Sequence, residues 1–178
     1  TTITTGQWYH VFCTYDDTTK VARVYVDGVL RATSSAGSGT LTNAGFGLND
    51  LVIGSTVEVT KNQSFDDVRI YNRVLSESEI KRIYEIGTTA KVSATPQTGL
   101  AASTKPNGGS ANLAGHWTFD GPDMLQNASD SSGNGNHGRL ISFASGTTTV
   151  IGKVGQALSF NGSSNYISLP SLSISTEI

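Results

Sequence analysis

Little in this sequence can be cross-linked, strongly charged or threaded through a bilayer. It has one cysteine, Cys13, so no disulfide closes within the chain. Charged residues make up 15% and the formal net charge is −2, which leaves no basic stripe of the kind nucleic-acid binders carry. No nucleic-acid partner is expected. No apolar run approaches the roughly 18 residues of a spanning helix, so no membrane insertion is expected. A signal-like leader and an initiator methionine are also missing, and the strand pattern starts unannounced, as though a leader were removed or lay upstream. The three histidines, His10, His116 and His137, have no metal-ligand spacing, and no nucleophile is patterned beside them. Cys13 falls in the alternating run Tyr9-Val11-Cys13-Tyr15 and reads as a small buried hydrophobe. No base or cation is patterned to activate its thiol.

What is present is glycine (20 of 178 residues) with abundant Ser, Thr and Asn, the composition of a turn-rich all-β protein. Residues 8–15 (WYHVFCTY) and 21–26 (VARVYV) are β-branched and aromatic runs on either side of a polar DDTTK, a hairpin signal. Asp27-Gly28 is a two-residue turn into Val29, because glycine tolerates the positive φ that such turns need. Residues 34–47 read as a loop, Leu51-Val52-Ile53-Gly54 as a short strand, 55–64 as a second loop and 65–72 as the next strand. In that strand Val68 and Ile70 share one face, and Arg69 and Tyr71 the other.

Ser76-Glu77-Ser78-Glu79 is a capping box. Ile80, Ile83 and Tyr84 follow at helical spacing, with Gly87 as the expected C-cap, so one short helix near 76–87 is predicted to cover the end of a sheet. Residues 88–112 contain two prolines, many small residues and no aromatic. They are long for a connection inside a compact domain and mark a linker. Strand patterns resume at 115–120, about 137–143, 156–160 and 165–169, and the pattern is unfinished at the last residues.

Several ordered motifs fall on either side of the linker. Before it come GQWYHV (6–11), Tyr15-Asp16, VYVDG (24–28), Ile53-Gly54 and FDDVRIYNRVLS (65–76). After it come GHWTFD (115–120), DSSGNGNHG (130–138), GKVGQALSFNG (152–162) and Tyr166-Ile167. The first set resembles the C-terminal half of a laminin G-like, concanavalin A-like jelly-roll domain, and the second resembles the N-terminal half. The expected fold is therefore an all-β concanavalin A-like jelly-roll sandwich with one short helix and its halves in permuted order: 1–87, linker 88–112, and 113–178. Two packed inner faces are needed to cover a sandwich core, and open strand edges invite association. The halves are thus expected to pack together, within one chain or between neighbouring copies. A window from a tandem array would have the same order.

The resemblance implies a non-catalytic extracellular module that binds carbohydrate or another cell-surface ligand, part of a repetitive bacterial surface protein. Two other readings stand beside it: a structural array or filament subunit completed by half-domain exchange, and an accessory domain of a glycoside hydrolase. The paired acids of hydrolase relatives, arranged as Glu-x-Asp-x-Glu on one strand, do not occur here, so no catalytic residue is nominated. Relatives often hold a structural Ca²⁺ between opening and closing strands. Carried onto this chain, that implies Asp66, with Asp67 as its alternate, and Asp120 with Gly121. Calcium takes such hard oxygen ligands. Asp130 to Asn136 superficially resembles a calcium loop but lacks the Glu at its twelfth position, and reads as a turn. Trp8 and Trp117 read as packing residues. The loops 34–47 and 55–64 are the expected recognition surface, with no single residue assigned. Three Asn-x-Ser sequons, at Asn62, Asn127 and Asn161, are near chance in so Asn- and Ser-rich a chain.

Overall fold

The computed structural model describes residues 3–34, 37, 51–54, 62–89, 112–121, 126–143 and 149–172. The strands run β1 (Val11–Asp16), β2 (Val21–Val26), β3 (Val29–Thr33), β4 (Val52–Gly54), β5 (Gln63–Phe65) and β6 (Val68–Tyr71). The helix α1 (Glu77–Thr89) follows, then β7 (Leu113–Trp117), β8 (Asn127–Ala128), β9 (Gly138–Ile141), β10 (Thr149–Ile151), β11 (Gln156–Phe160) and β12 (Tyr166–Ser168).

The first three strands form an antiparallel meander. Asp27 and Gly28 both have positive φ, 53° and 73°, the twist a two-residue hairpin requires. Asp27 Oδ1 accepts from the His10 N–H at 3.0 Å and so ties the turn to the entry of β1. One face of this meander carries Phe12 and Tyr25, opposite each other in register. Helix α1 closes that face: Tyr25, Leu75 and Ile80 are buried together, with Phe12, Tyr71 and Ile83 packed around them. The capping box forms as the sequence predicts. Glu79 Oε2 accepts from Ser76 N at 2.9 Å and the Ser76 hydroxyl accepts from Glu79 N at 3.4 Å. Arg73 joins the same carboxylate at 2.5 Å. The Glu79 carboxyl is held down to about 2, first by Arg73 and then by Ser76. Gly87 does not end the helix, which continues to Thr89.

The remaining strands form three small sheets, ordered β10-β11-β5, β4-β12-β9-β8 and β6-β7. Each contains strands from both sides of residues 90–111. Leu158 stands opposite Phe65, Ile167 opposite Ile53, and Trp117 opposite Val68. One core fills the space between them. Trp117, Phe119, Leu158, Phe160, Ile167 and Leu169 are buried with Ile53 and Ala128, and Phe65, Val68, Ile70 and Leu140 line its edge. Phe160 receives Phe65 and Phe143 edge-on at 5.2 and 5.3 Å, the geometry favoured by the ring quadrupoles. Strand β6 divides the two cores: Val68 and Ile70 face this one, and Tyr71 faces the helix and Phe12.

Several expectations are corrected. The segment 65–72 is not one strand. Asp67 is left-handed at φ 54°, so Asp66-Asp67 form a corner, and the chain leaves the sheet of β5 for that of β6. Residues 63 and 64, expected in a loop, belong to β5, and the strand expected at 115–120 ends at Trp117 because Phe119 is left-handed at φ 59°. Cys13 is exposed, not buried. Alternation on β1 is real, but the helix covers the face of Phe12 and the buried Thr14, leaving Val11 57% exposed beside Cys13. Trp8, expected to pack, is 39% exposed, whereas Trp117 is fully buried.

Candidate functional site

The corner at Asp66-Asp67 and the end of β7 converge on one turn, residues 152–156. There the Gly152 N–H donates to Gly155 O at 3.0 Å. Asp66 Oδ2 accepts from Val154 N at 2.9 Å, and Asp120 Oδ1 accepts from Gln156 N at 2.7 Å. Space is tight around both acids. Gly155 has φ +69°, and a Cβ there would overlap Asp120 Oδ1. A Cβ on Gly152 would lie 2.6 Å from Asp66 Oδ2. The two carboxylates thus reach the same five-residue turn from strands on opposite sides of residues 90–111.

Asp66 is raised above the ordinary carboxyl value. Burial is the main cause, opposed by the Val154 and Lys153 N–H groups and reinforced by the charges of Asp67 and Asp120. Its Oδ1 is buried with no hydrogen-bond partner among the described residues. An ionised oxygen left unpaired and desolvated is costly, and a hard cation would remove that cost.

Asp67 faces elsewhere. Its Oδ2 pairs with Arg69 Nη2 at 2.7 Å, its Oδ1 lies against His116 Nε2, and Arg69 Nε lies 3.2 Å from the same imidazole nitrogen. Burial pushes Asp67 up, but the His116 contact and the Arg69 charge outweigh it, so the carboxyl sits below its ordinary value. Gly121 follows Asp120 at φ 120° and is exposed. The structure thus brings Asp66 and Asp120 together on the turn and commits Asp67 to the Arg69–His116 pair. No group of three or more His, Cys, Asp or Glu side chains that could hold a metal gathers among the described residues. Asp66 and Asp120 fit a hard cation as two carboxylate donors, with carbonyl or water oxygens needed to complete its shell.

Asp130 is buried, and its carboxylate accepts from the backbone N–H of His116, Ser132 and Asn136 and from the Ser132 hydroxyl. Burial pushes it up, yet these donors bring it below its ordinary value. This is a saturated structural turn, which docks Asn134 and Asn136 onto the carbonyls of β7. The sequon residue Asn161 is likewise occupied, its Oδ1 accepting from Ser163, Ser164 and Asn165 N. Of the loops expected to bind a ligand, only Ser34, Gly37 and residues 62–64 are among the described residues.

Sequence reasoning found the two acids but not their shared partner. The signal for the turn was Gly152-Lys153-Val154-Gly155, two glycines three apart before an apolar strand. The Arg69–His116 pairing had no sequence signal, because it depends on the register of β6 against β7.

Residues 1–81 match the family model described as the concanavalin A-like lectin/glucanases superfamily. The match covers less than half of the chain, and the mostly β architecture with one short helix is consistent with an all-β jelly roll. Searches of curated proteins and of solved structures returned no match. The superfamily's description spans both lectins and glucanases. No helix among the described residues is long and apolar enough to cross a membrane.

Proposed function

We propose that this chain is a non-catalytic, extracellular carbohydrate-binding module whose fold is stapled by a structural Ca²⁺ on Asp66 and Asp120. The family match over residues 1–81 carries the first part of this reading. The Asp66 Oδ1, buried and without a hydrogen-bond partner among the described residues, carries the second. An ion held there would neutralise two neighbouring carboxylates and link the β5–β6 corner to the end of β7. A non-catalytic role is supported by how the acids are used: Asp66 and Asp120 hold a backbone turn, Asp67 an ion pair and Asp130 a saturated loop. None is left as a free acid–base pair of the kind glycoside hydrolysis needs.

Among the described residues Trp8 is the one exposed Phe, Tyr or Trp side chain, and a flat indole just before β1 suits the apolar face of a sugar ring. A glycan array in calcium and in EDTA tests the reading. The expected result is selective binding to a glycan class, weakened by Trp8→Ala and by EDTA. Release of reducing sugar from a bound glycan would overturn the non-catalytic assignment. Uniformly blank arrays in calcium would overturn the binding assignment.

A further inference from the structure

We infer that this chain exchanges halves with a second copy of itself, so that β4, β5 and β6 of one copy pair with β12, β11 and β7 of another. The partner surface is the interface already visible within one chain. Three of the four sheets are built across it, through Phe65 opposite Leu158, Ile53 opposite Ile167 and Val68 opposite Trp117. Its polar seam crosses too, with Asp66 on Val154 N, Arg69 on His116 and Asn72 N on Asn112 O. The core around β11 and β12 is shared: Trp117, Phe119 and Ala128 come from their own side, while Ile53, Phe65, Val68 and Ile70 come from the other. Left alone, each half exposes apolar residues and open strand edges, and a matching surface on a neighbour is the nearest remedy.

Each half also carries a unit able to hold it together while the interface is open. On one side α1 is packed on the β1–β3 meander through Tyr25, Leu75 and Ile80. On the other, β8-β9-β12 and β10-β11 pair among themselves, and Asp130 ties its turn to β7.

Between Thr89 and Asn112 lie 22 residues, a tether that reaches about 75 Å when extended. It is long enough for a half to find its complement in its own chain or in another. The contacts are identical in both arrangements, so protein concentration decides between them by mass action. Closed monomers should therefore dominate in dilute solution and exchanged dimers in concentrated solution. The inference does not depend on a bound sugar or ion.

Ser64 and Ser159 are cross-strand partners in β5 and β11, close enough for a disulfide. The test uses two full-length chains lacking the native thiol, Cys13→Ser with Ser64→Cys and Cys13→Ser with Ser159→Cys. They are mixed in urea and refolded together under mild oxidant at about 1 mM and about 1 μM. A mixed disulfide dimer is expected at high concentration and at least tenfold less at low concentration. A control pair, Ser64→Cys with Thr18→Cys, should give neither. Wild-type protein refolded at the same two concentrations should show a doubled mass by light scattering at the higher one, a readout that needs no substitution. Equal yields of the mixed disulfide and the control disulfide, or a wild-type monomer at both concentrations, would overturn the inference.

Discussion

Gly155→Ala should damage the protein through a second residue, Asp120, and the size of the effect can be worked out. Gly155 sits at φ +69°. A left-handed conformation costs an ordinary L-residue about 1–2 kcal/mol. Part of that is offset by about 0.4–1 kcal/mol, because alanine leaves the unfolded chain with less entropy to lose. The new methyl would also overlap Asp120 Oδ1, which accepts from Gln156 N at 2.7 Å. Displacing the carboxylate forfeits a hydrogen bond to a charged group, about 1.5 kcal/mol when the low end is taken for an exposed side chain. The sum is about 1.5–3 kcal/mol.

For a chain of this length each kcal/mol moves Tm by about 2–4 °C, so scanning calorimetry in EDTA should record a fall of about 3–12 °C. The discriminating measurement is the double-mutant cycle with Asp120→Ala. That variant alone should cost about 1.5 kcal/mol. With the carboxylate gone the methyl has nothing to displace, so the double variant should cost about 1.5 kcal/mol less than the sum of the singles. Strict additivity, or a Gly155→Ala protein as stable as wild type, would refute the geometry of the turn.

Four further variants can be checked in parallel. Asp66→Asn in EDTA should raise stability at neutral pH. The folded carboxyl is raised above its ordinary 3.8, so the native state binds more protons in that window and wild-type stability falls as pH rises through it. The advantage of Asn should shrink as the pH approaches 4, and the variant should lose any calcium-induced gain in Tm. His10 shows the opposite sign. Burial is the main cause of its depression below 6.5, and its Nδ1 is buried without a hydrogen-bond partner among the described residues, so stability is full above 6.5 and declines as pH falls below it. His10→Gln should flatten that limb in urea melts at several pH values. Ile80→Ala empties a fully buried site under the helix and should cost about 2–5 kcal/mol, read as a lower urea midpoint, whereas Ser76→Ala at the helix cap should cost about 1 kcal/mol.

The parts of this fold legible in the sequence were those fixed by neighbours in the chain. Asp27-Gly28 could only be a tight turn, and Ser76 with Glu79 could only cap a helix, because each feature is complete within four residues. The parts that were misread depend on which side of an element the rest of the chain arrives. Alternation on β1 gave two candidate faces, Val11-Cys13-Tyr15 and Phe12-Thr14, of similar apolarity. The helix is what buries the second and leaves Cys13 in solvent. Native Cys13 should therefore react stoichiometrically with a thiol reagent before unfolding, and a thiol silent until the protein melts would restore the buried reading.

The site shows the same division from the other side. Asp66 and Asp120 were visible through the resemblance to a family, but a sequence cannot say which oxygen of a carboxylate is left unpartnered. That follows from the corner between β5 and β6. Had 65–72 continued as one strand, Asp66 and Asp67 would have stood on opposite faces of a single sheet. The left-handed Asp67 instead moves the chain from one sheet to another. One carboxylate is thereby delivered to the 152–156 turn and its neighbour to Arg69 and His116. The same corner sets Phe65 against Leu158 and Val68 against Trp117, so the residues that would hold an ion are also where the two sides of the chain are joined.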